Sequence, residues 1–456
     1  FEAIDLANGL FRVTNRFYFT NLKKYMVHYS VTANNKVVRS GKVSLDIEPQ
    51  ASKEFTVPVG NLKPQAGTEY FVNFNVTTVE KEPLIPIGHE IACDQFRLPI
   101  ESPKKAFKTS GPKLTVSTNG DNLSASSSKV NFVFNRKTGI VTSYKVDGTE
   151  YFSEGFGIQP NFWRAPTDND YGNGMPKRLQ VWKESSKNFN VTDATVTMDG
   201  NNAVVNVNYL LPAGNLYIVN YTIYPSGAVN VAARFTSTDM DAAQTEVSEA
   251  TRTATFTPGR DAARKEASKL NVPRIGVRFR LPASMNQVEY FGRGPAENYL
   301  DRNAGSMIGL YKSTAEELYF PYVRPQENGH HTDTRWVSLS TGKKGLLIQA
   351  DNTIGFNALR NSIEDFDDEE ATGLPRQWSN FTPEQVANHD EAAAKSVLRR
   401  QHHINDITPR DFVEVCVDLK QQGVAGYDSW GSRPEPAYTL PANREYNWGF
   451  TLIPLK

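Results

Sequence analysis

The sequence predicts an all-β protein in two parts, an immunoglobulin-like β-sandwich followed by a much larger double sheet. Three observations predict it. Apolar and polar residues alternate with a period of two in run after run, as half-buried strands require. Turn pairs such as Asn34-Asn35, Gly60-Asn61 and Asp147-Gly148 punctuate these runs. Helical signals are confined to 313–319, where Ser and Thr precede Glu316-Glu317, and 382–400, where Pro383 and Glu384 suit a helix start.

The chain has 456 residues, more than one hydrophobic core usually serves, so two or three domains are expected. Lys and Arg total 50, Asp and Glu total 50, and the formal net charge is zero. There is thus no basic field to draw in nucleic acid and no polybasic handle for a membrane. No run approaches the roughly 18 apolar residues of a spanning helix. The two cysteines, Cys93 and Cys416, are too far apart in sequence to suggest a disulfide framework, and each is expected to pack as a small apolar residue. The chain opens at Phe1 with neither a methionine nor a signal pattern. It is therefore read as a segment of a longer protein whose targeting information lies elsewhere.

Residues 1–101 form the expected first domain. Tyr25, Val27, Tyr29 and Val31 alternate with polar partners, as do Phe55, Val57 and Val59, and then Tyr70, Val72, Phe74 and Val76. About seven short strands in about 100 residues suggest the immunoglobulin-like sandwich, here without the paired cysteines of antibody domains. It carries no cluster of acids, bases or metal ligands and reads as a spacer. Residues 102–112 are polar, with Pro103, Gly111 and Pro112, and read as a linker.

Residues 113–456 form the second domain. A hairpin is expected at 130–134 and 140–146, with turns at Lys137-Thr138-Gly139 and Asp147-Gly148. Later strands are expected at 204–207, 217–224, 228–235, 277–281, 288–291, 336–339, 346–350, 412–419 and 448–453. So many strands with so little helix fit a large twisted double sheet. Two stretches interrupt the pattern: polar 239–269, and 364–381, which opens on the acidic run EDFDDEE. That run lacks the ligand spacing and turn glycine of a calcium loop and reads as a solvated surface insertion.

The candidate site residues lie in four motifs. NFWRAPTDNDYG spans 161–172, YFGRGPAENYLDR spans 290–302, and PYVRPQENG spans 321–329 and leads to Thr334-Arg335-Trp336. The fourth runs from Gly423 to Gly431 and holds Asp428-Ser429-Trp430. Glycines on both sides of Trp430 allow a sharp turn that presents an indole at a loop tip, and an exposed indole usually covers something. Arg164, Asp168 and Asp170 read as a charge network holding a turn. If strand-like, the two aspartates would share one face, yet they read as structural rather than as an acid pair. Arg293, Glu297, Asn298, Asp301 and Arg302 read as a second polar network. Gly292 and Gly294 lack the rest of a dinucleotide fingerprint. The adjacent pairs His330-His331 and His402-His403 would face opposite sides of a strand and chelate poorly.

Together the four motifs, in this order, resemble the C-terminal part of bacterial β-galactosidases of glycoside hydrolase family two. The resemblance extends over nearly the whole chain, and the first domain is similar to the immunoglobulin-like domain of those enzymes. It implies a β-supersandwich with a galactose mutarotase-like fold for 113–456. It implies retaining hydrolysis of terminal β-D-galactosides by two glutamates on a β/α barrel that precedes this segment, so that no catalytic residue lies here and the fragment alone is inactive. The barrel's magnesium is implied as well, with no metal ligand in this chain. By resemblance, Trp430 binds substrate at the aglycone side and Gly172 belongs to an active-site loop, as a hinge. The missing barrel is the implied partner, the full-length enzyme a homo-oligomer, and the compartment bacterial cytoplasm or periplasm. A carbohydrate-binding module and an aldose mutarotase, which would need a histidine and a carboxylate in one concave site, remain alternatives.

Overall fold

The computed structural model describes residues 1–236, 271–367, 403–428 and 431–456. They fall into two compact units. One comprises Phe1–Phe107 with Ala304–Leu310, the other Lys108–Asn303 with Tyr311–Lys456.

The first unit has two antiparallel sheets. Glu2–Asp5, Leu10–Thr14 and Ser52–Thr56 make one. Lys36–Ser44, Tyr25–Ala33, Tyr70–Thr78 and Glu90–Arg97 make the other, in that order. Strand alternation decides what is inside: Tyr70, Val72, Phe74 and Val76 are all buried. With no disulfide between the sheets, aromatic rings take up the centre. Phe11 meets Phe74 edge-on at 4.9 Å, and Phe1 stacks on Phe74 at 4.4 Å. Cys93 corrects an expectation, since it is exposed. Its strand sends Phe96 to the core, and Cys93 lies on the opposite phase.

The second unit holds a five-stranded sheet, in the order Thr149–Glu150, Ile140–Val146, Val130–Asn135, Asn122–Ser126, Thr115–Asn119. The expected hairpin is its centre. Asp147 and Gly148 both take positive φ, 48° and 78°, the geometry that matches strand twist in a two-residue turn. The other sheet has twelve strands among the described residues. Nine of them run in the order Gln159–Asn161, Arg274–Pro282, Phe412–Gln421, Gly345–Leu359, Tyr446–Leu455, Val229–Thr236, Leu216–Ile223, Asn202–Leu210, Asn190–Asp199. Every strand expected between 204 and 453 is part of this sheet. One apolar core fills the unit, from Leu114 to Leu452.

Helix was misjudged in both directions. At 313–319 the strand Met307–Thr314 ends in a single turn, not a helix. Thr314 and Glu317 do exchange capping hydrogen bonds, at 3.2 and 3.1 Å, but one turn gains too little to propagate. Three short helices instead end and follow the first motif: α1 (Asp168–Gly172), within it, then α2 (Met175–Arg178) and α3 (Gln180–Lys187). Trp182 of α3 is fully buried, so tertiary packing supplies what short length denies them.

The start of the acidic run is also not a solvated surface. Asp365 pairs with Arg410, and Asp367 accepts from Trp163 Nε1 and Lys183 Nζ, both at 2.7 Å. Both aspartates are buried because the cations they need come from elsewhere in the chain, Lys183 from α3 and Arg410 from the segment before the Phe412–Gln421 strand. The rest of that run, the stretch 239–269 and the helix expected at 382–400 lie outside the described residues.

Candidate functional site

The first motif folds into a cap. Thr167 and Asp170 form a capping box on α1: Asp170 N donates to Thr167 Oγ1 at 3.2 Å, and Thr167 N donates to Asp170 Oδ2 at 3.0 Å. Arg164 Nη2 donates to both Asp170 oxygens, at 3.0 and 2.9 Å, with both side chains buried. Asp168 does not join this pair. It stands exposed on the helix, 3.7 Å from Arg324. Two positions along a helix are about 200° apart, so Asp168 and Asp170 share no face, as they would on a strand. Asp170 is occupied by its cap and its arginine, and the two carboxylates make no acid pair.

Arg164 reaches further. Its Nη1 donates to Gln422 O at 2.8 Å and its Nη2 to Gly423 O at 3.1 Å, which ties α1 to the start of the fourth motif. The second motif holds the next step of that loop. Tyr299 and Arg302 bridge across a tight turn with Asp301 at its tip. Asp301 Oδ1 accepts from Val424 N at 2.9 Å, and Oδ2 from Ala425 N at 2.8 Å. Ala425 has φ +56°, and Gly426, beside Asn169 of α1, has +93°.

The far end of the loop also returns to α1. Gly431 takes φ +84° and lies against Gly172: a methyl carbon built on Gly172 would sit 3.2 Å from Gly431 Cα, and one built on Gly431 only 2.5 Å from the Gly172 carbonyl carbon. Only glycine permits such backbone proximity. Asn173 Nδ2 adds a bond to Ser432 O at 3.4 Å. Gly172 therefore closes a helix instead of opening a loop, and the left-handed residue nearby is Gly174. Ser429 and Trp430 lie outside the described residues. Their neighbours are held on both sides: residues 422–425 by Arg164 and Asp301, residues 431 and 432 by the end of α1.

The remaining members of the second network tie it to the third motif and the residues just after it. Glu297 accepts from Arg302 Nη2 at 3.0 Å and Gly329 N at 2.7 Å and meets the Tyr322 hydroxyl, so it joins the second and third motifs. Asn298 donates to Arg293 O at 3.1 Å in its own turn and accepts from Thr332 N at 3.0 Å, just beyond the third motif.

A deeper cluster escaped the sequence reading. Arg274, fully buried, lies 3.0 Å from Glu327 and 3.2 Å from Asp418, and donates to Asn357 at 3.0 Å. Gln421 and Asn357 also donate to Glu327 Oε1, at 2.9 and 3.0 Å. Burial pushes the Asp418 carboxyl up to about 7, against the pull of Arg274. The signal was legible: charges at 274, 414 and 418 interrupt otherwise apolar strands.

His330 and His331 sit beside this cluster, both buried. His330 Nδ1 is 2.9 Å from Asn357 Oδ1, and His331 lies between the carbonyls of Gly329 and Pro295, at 3.1 and 3.2 Å. Burial, then nearby Arg274, pushes His330 down to about 3, and burial pushes His331 down to about 4. His330 does approach a carboxylate, Asp418, at 3.9 Å. The cavity at this cluster measures only about 20 Å³, close to the space one water needs and far too small for a hexose. His403 is exposed. Glu364 and Glu414 are joined by Arg278 Nη1, at 2.8 and 3.5 Å, and serve as its counter-ions. A groove of about 590 Å³ lies on the first unit, lined by Phe1, Arg12, Phe17 and Tyr25 among others, and none of the candidate site residues of the four motifs lines it. Among the described residues no group of three or more His, Cys, Asp and Glu could hold a metal ion.

The fold and this site define an all-β module in which buried ion pairs and backbone proximity fix one surface loop, with Asp170, Glu297, Asp301 and Glu327 of the motifs committed to structure. Comparison with known proteins says which. The family model described as β-galactosidase small chain matches residues 126–452, and that of β-galactosidase domain 4 matches 11–99. The chain belongs to the β-galactosidase small chain family. The β-galactosidase of Priestia megaterium is 30% identical over 457 residues, covering 99% of this chain and 38% of the relative. That of Streptococcus thermophilus is 24% identical, covering 96% and 36%. This chain thus spans under two-fifths of the length of these relatives. Among solved structures it is similar to a galactose mutarotase related enzyme from Lactobacillus acidophilus, with TM-score 0.36 and 10% identity over 74% of this chain and 97% of that one.

Proposed function

We propose that this chain serves a β-galactosidase, completing the mouth of its active site and supporting its assembly. The observation that carries the reading is the family match over 126–452, which includes all four motifs. The convergence of the fourth motif on the first two supports it, because a loop braced at both ends suits a fixed wall of a binding site. In this reading the enzyme cleaves terminal β-D-galactosides with retention. One carboxylate attacks the anomeric carbon and a second, about 5–5.5 Å away, protonates the leaving oxygen and later activates water. Both belong to a β/α barrel outside this chain, as does the magnesium in this reading. The barrel is the partner, and assembly into a homo-oligomer belongs to the same proposal.

The part played here is recognition. Trp430 offers an indole face to the C–H face of the sugar bound at the aglycone side, and Gly172 gives its loop room. Replacing Trp430 with alanine in the full-length enzyme should raise KM for lactose roughly tenfold, the size of about 1–1.5 kcal/mol of lost stacking. Unchanged affinity for substrate and product in that variant would refute the reading.

A further inference from the structure

We propose that Asp301 is a positioning residue for aglycone recognition, acting through the backbone of the loop that carries position 430. The inference rests on the substrate-binding role proposed for Trp430. Asp301 stands at the tip of the Tyr299–Arg302 turn and belongs to another motif, 122 residues before Gly423 in sequence. Its two oxygens accept from two successive amides, Val424 N at 2.9 Å and Ala425 N at 2.8 Å. The second amide belongs to an alanine at φ +56°. Consecutive N–H groups at such a kink form a concavity that takes an anion, and here a side-chain carboxylate fills it.

Three further features show that the loop is fitted to this carboxylate. Gly423 leaves it room: a methyl carbon there would lie 2.4 Å from Asp301 Oδ2. The Tyr427 hydroxyl donates to the same oxygen at 3.4 Å. Arg164 holds the carbonyls of Gln422 and Gly423 from the other side, so amides and carbonyls of adjacent residues are gripped by opposite charges. A left-handed alanine is unfavourable by itself, and the charge-assisted bonds to Asp301 offset that strain. Without them the chain would relax at 424–426, a few residues before position 430.

The test uses the full-length enzyme with lactose and 2-nitrophenyl β-D-galactoside. Asp301→Ala should raise KM for lactose about five- to twentyfold while kcat for the nitrophenyl substrate changes less than about twofold. Asp301→Asn keeps one acceptor and should fall between the variant and the parent. If Asp301→Ala fails to fold, Asp301→Asn, compared with the parent at matched melting temperature, carries the measurement. Trp430→Ala and the double variant complete a cycle: the double should show the KM of Trp430→Ala alone, because Asp301 acts only through that loop. A raised KM in Trp430→Ala beside an unchanged KM in both Asp301 variants overturns this inference and leaves the proposed function standing. Effects that multiply in the double variant overturn it as well, since they place Asp301 in general stability. An unchanged KM in Trp430→Ala overturns the reading of that residue, and this inference with it.

Discussion

Two polar assemblies in the second unit use the same chemistry for different ends. Around Arg274, Asp418 and Asn357 come from strands of the large sheet and Glu327 from the third motif, and together these side chains seal it in. Around Arg164 and Asp301, the partners are the backbone of an irregular loop. The first assembly fixes how strands meet and opens on nothing larger than a water. The second fixes where a surface loop begins and ends. Buried charge thus marks structure in one place and the support of a candidate binding surface in the other. Burial alone does not tell the two apart; the identity of the last group in each network does.

The sharpest way to break this comparison is to remove the central cation of the sealed cluster. Arg274→Ala leaves Glu327 and Asp418 buried without compensation and should destabilise the second unit by about 3–5 kcal/mol. A denaturant midpoint that barely moves would show that the cluster is hydrated and not sealed. Acid tests the same region without mutation. His330 and His331 are held neutral, down to about 3 and about 4, against about 6.5 in an unfolded chain. Between those values the unfolded chain binds more protons, so stability is present above about pH 6.5 and is lost as pH falls. Asp418, raised to about 7, acts in the opposite sense over part of that window and offsets one of the two histidines. The net loss from pH 6.5 to 5 should be roughly 1–2 kcal/mol, and His331→Gln should flatten it. Equal melting temperatures at both pH values would contradict the sealed state.

At the loop the effects should be smaller and of another kind. Gly431→Ala places a methyl group at φ +84° against Gly172 and should cost about 1–2 kcal/mol. Its main readout is a raised KM for lactose in the full-length enzyme, and an unaltered KM would detach the Gly172 contact from function. Smallest of all, Asp168→Asn removes an exposed pairing at 3.7 Å and should change stability by less than about 0.5 kcal/mol. A larger effect would mean that Asp168 belongs with Asp170 after all.

Much of the architecture was legible in advance, because strand alternation is a local signal with a two-residue period. The runs at 70–76, 130–146 and 204–235 need no tertiary information to declare an inner and an outer face. Helices α1 to α3 were not legible. Each is too short for periodicity to show, and they exist because Trp182 and Met175 are packed from outside. The acidic run misled for a related reason: Asp365 and Asp367 look solvated until Arg410 and Lys183 arrive from elsewhere in the chain. Of the two residues singled out for the site, Gly172 has a definite place against Gly431, while Trp430 is known only through the neighbours that hold its loop.

By itself the sequence determined the class of fold, the four motifs and the glycines that let a loop turn sharply, since all of these are written in neighbouring residues. The tertiary structure alone decided which charges meet. Arg164 with Gly423, Asp301 with Val424 and Arg274 with Asp418 are each separated by more than a hundred residues. The assignment of Asp170 to a cap, of His330 to a sealed interior and of Asp301 to a loop follows from that meeting. Hydrogen bonds act over about 3 Å, and only the folded sheet brings such distant residues that close.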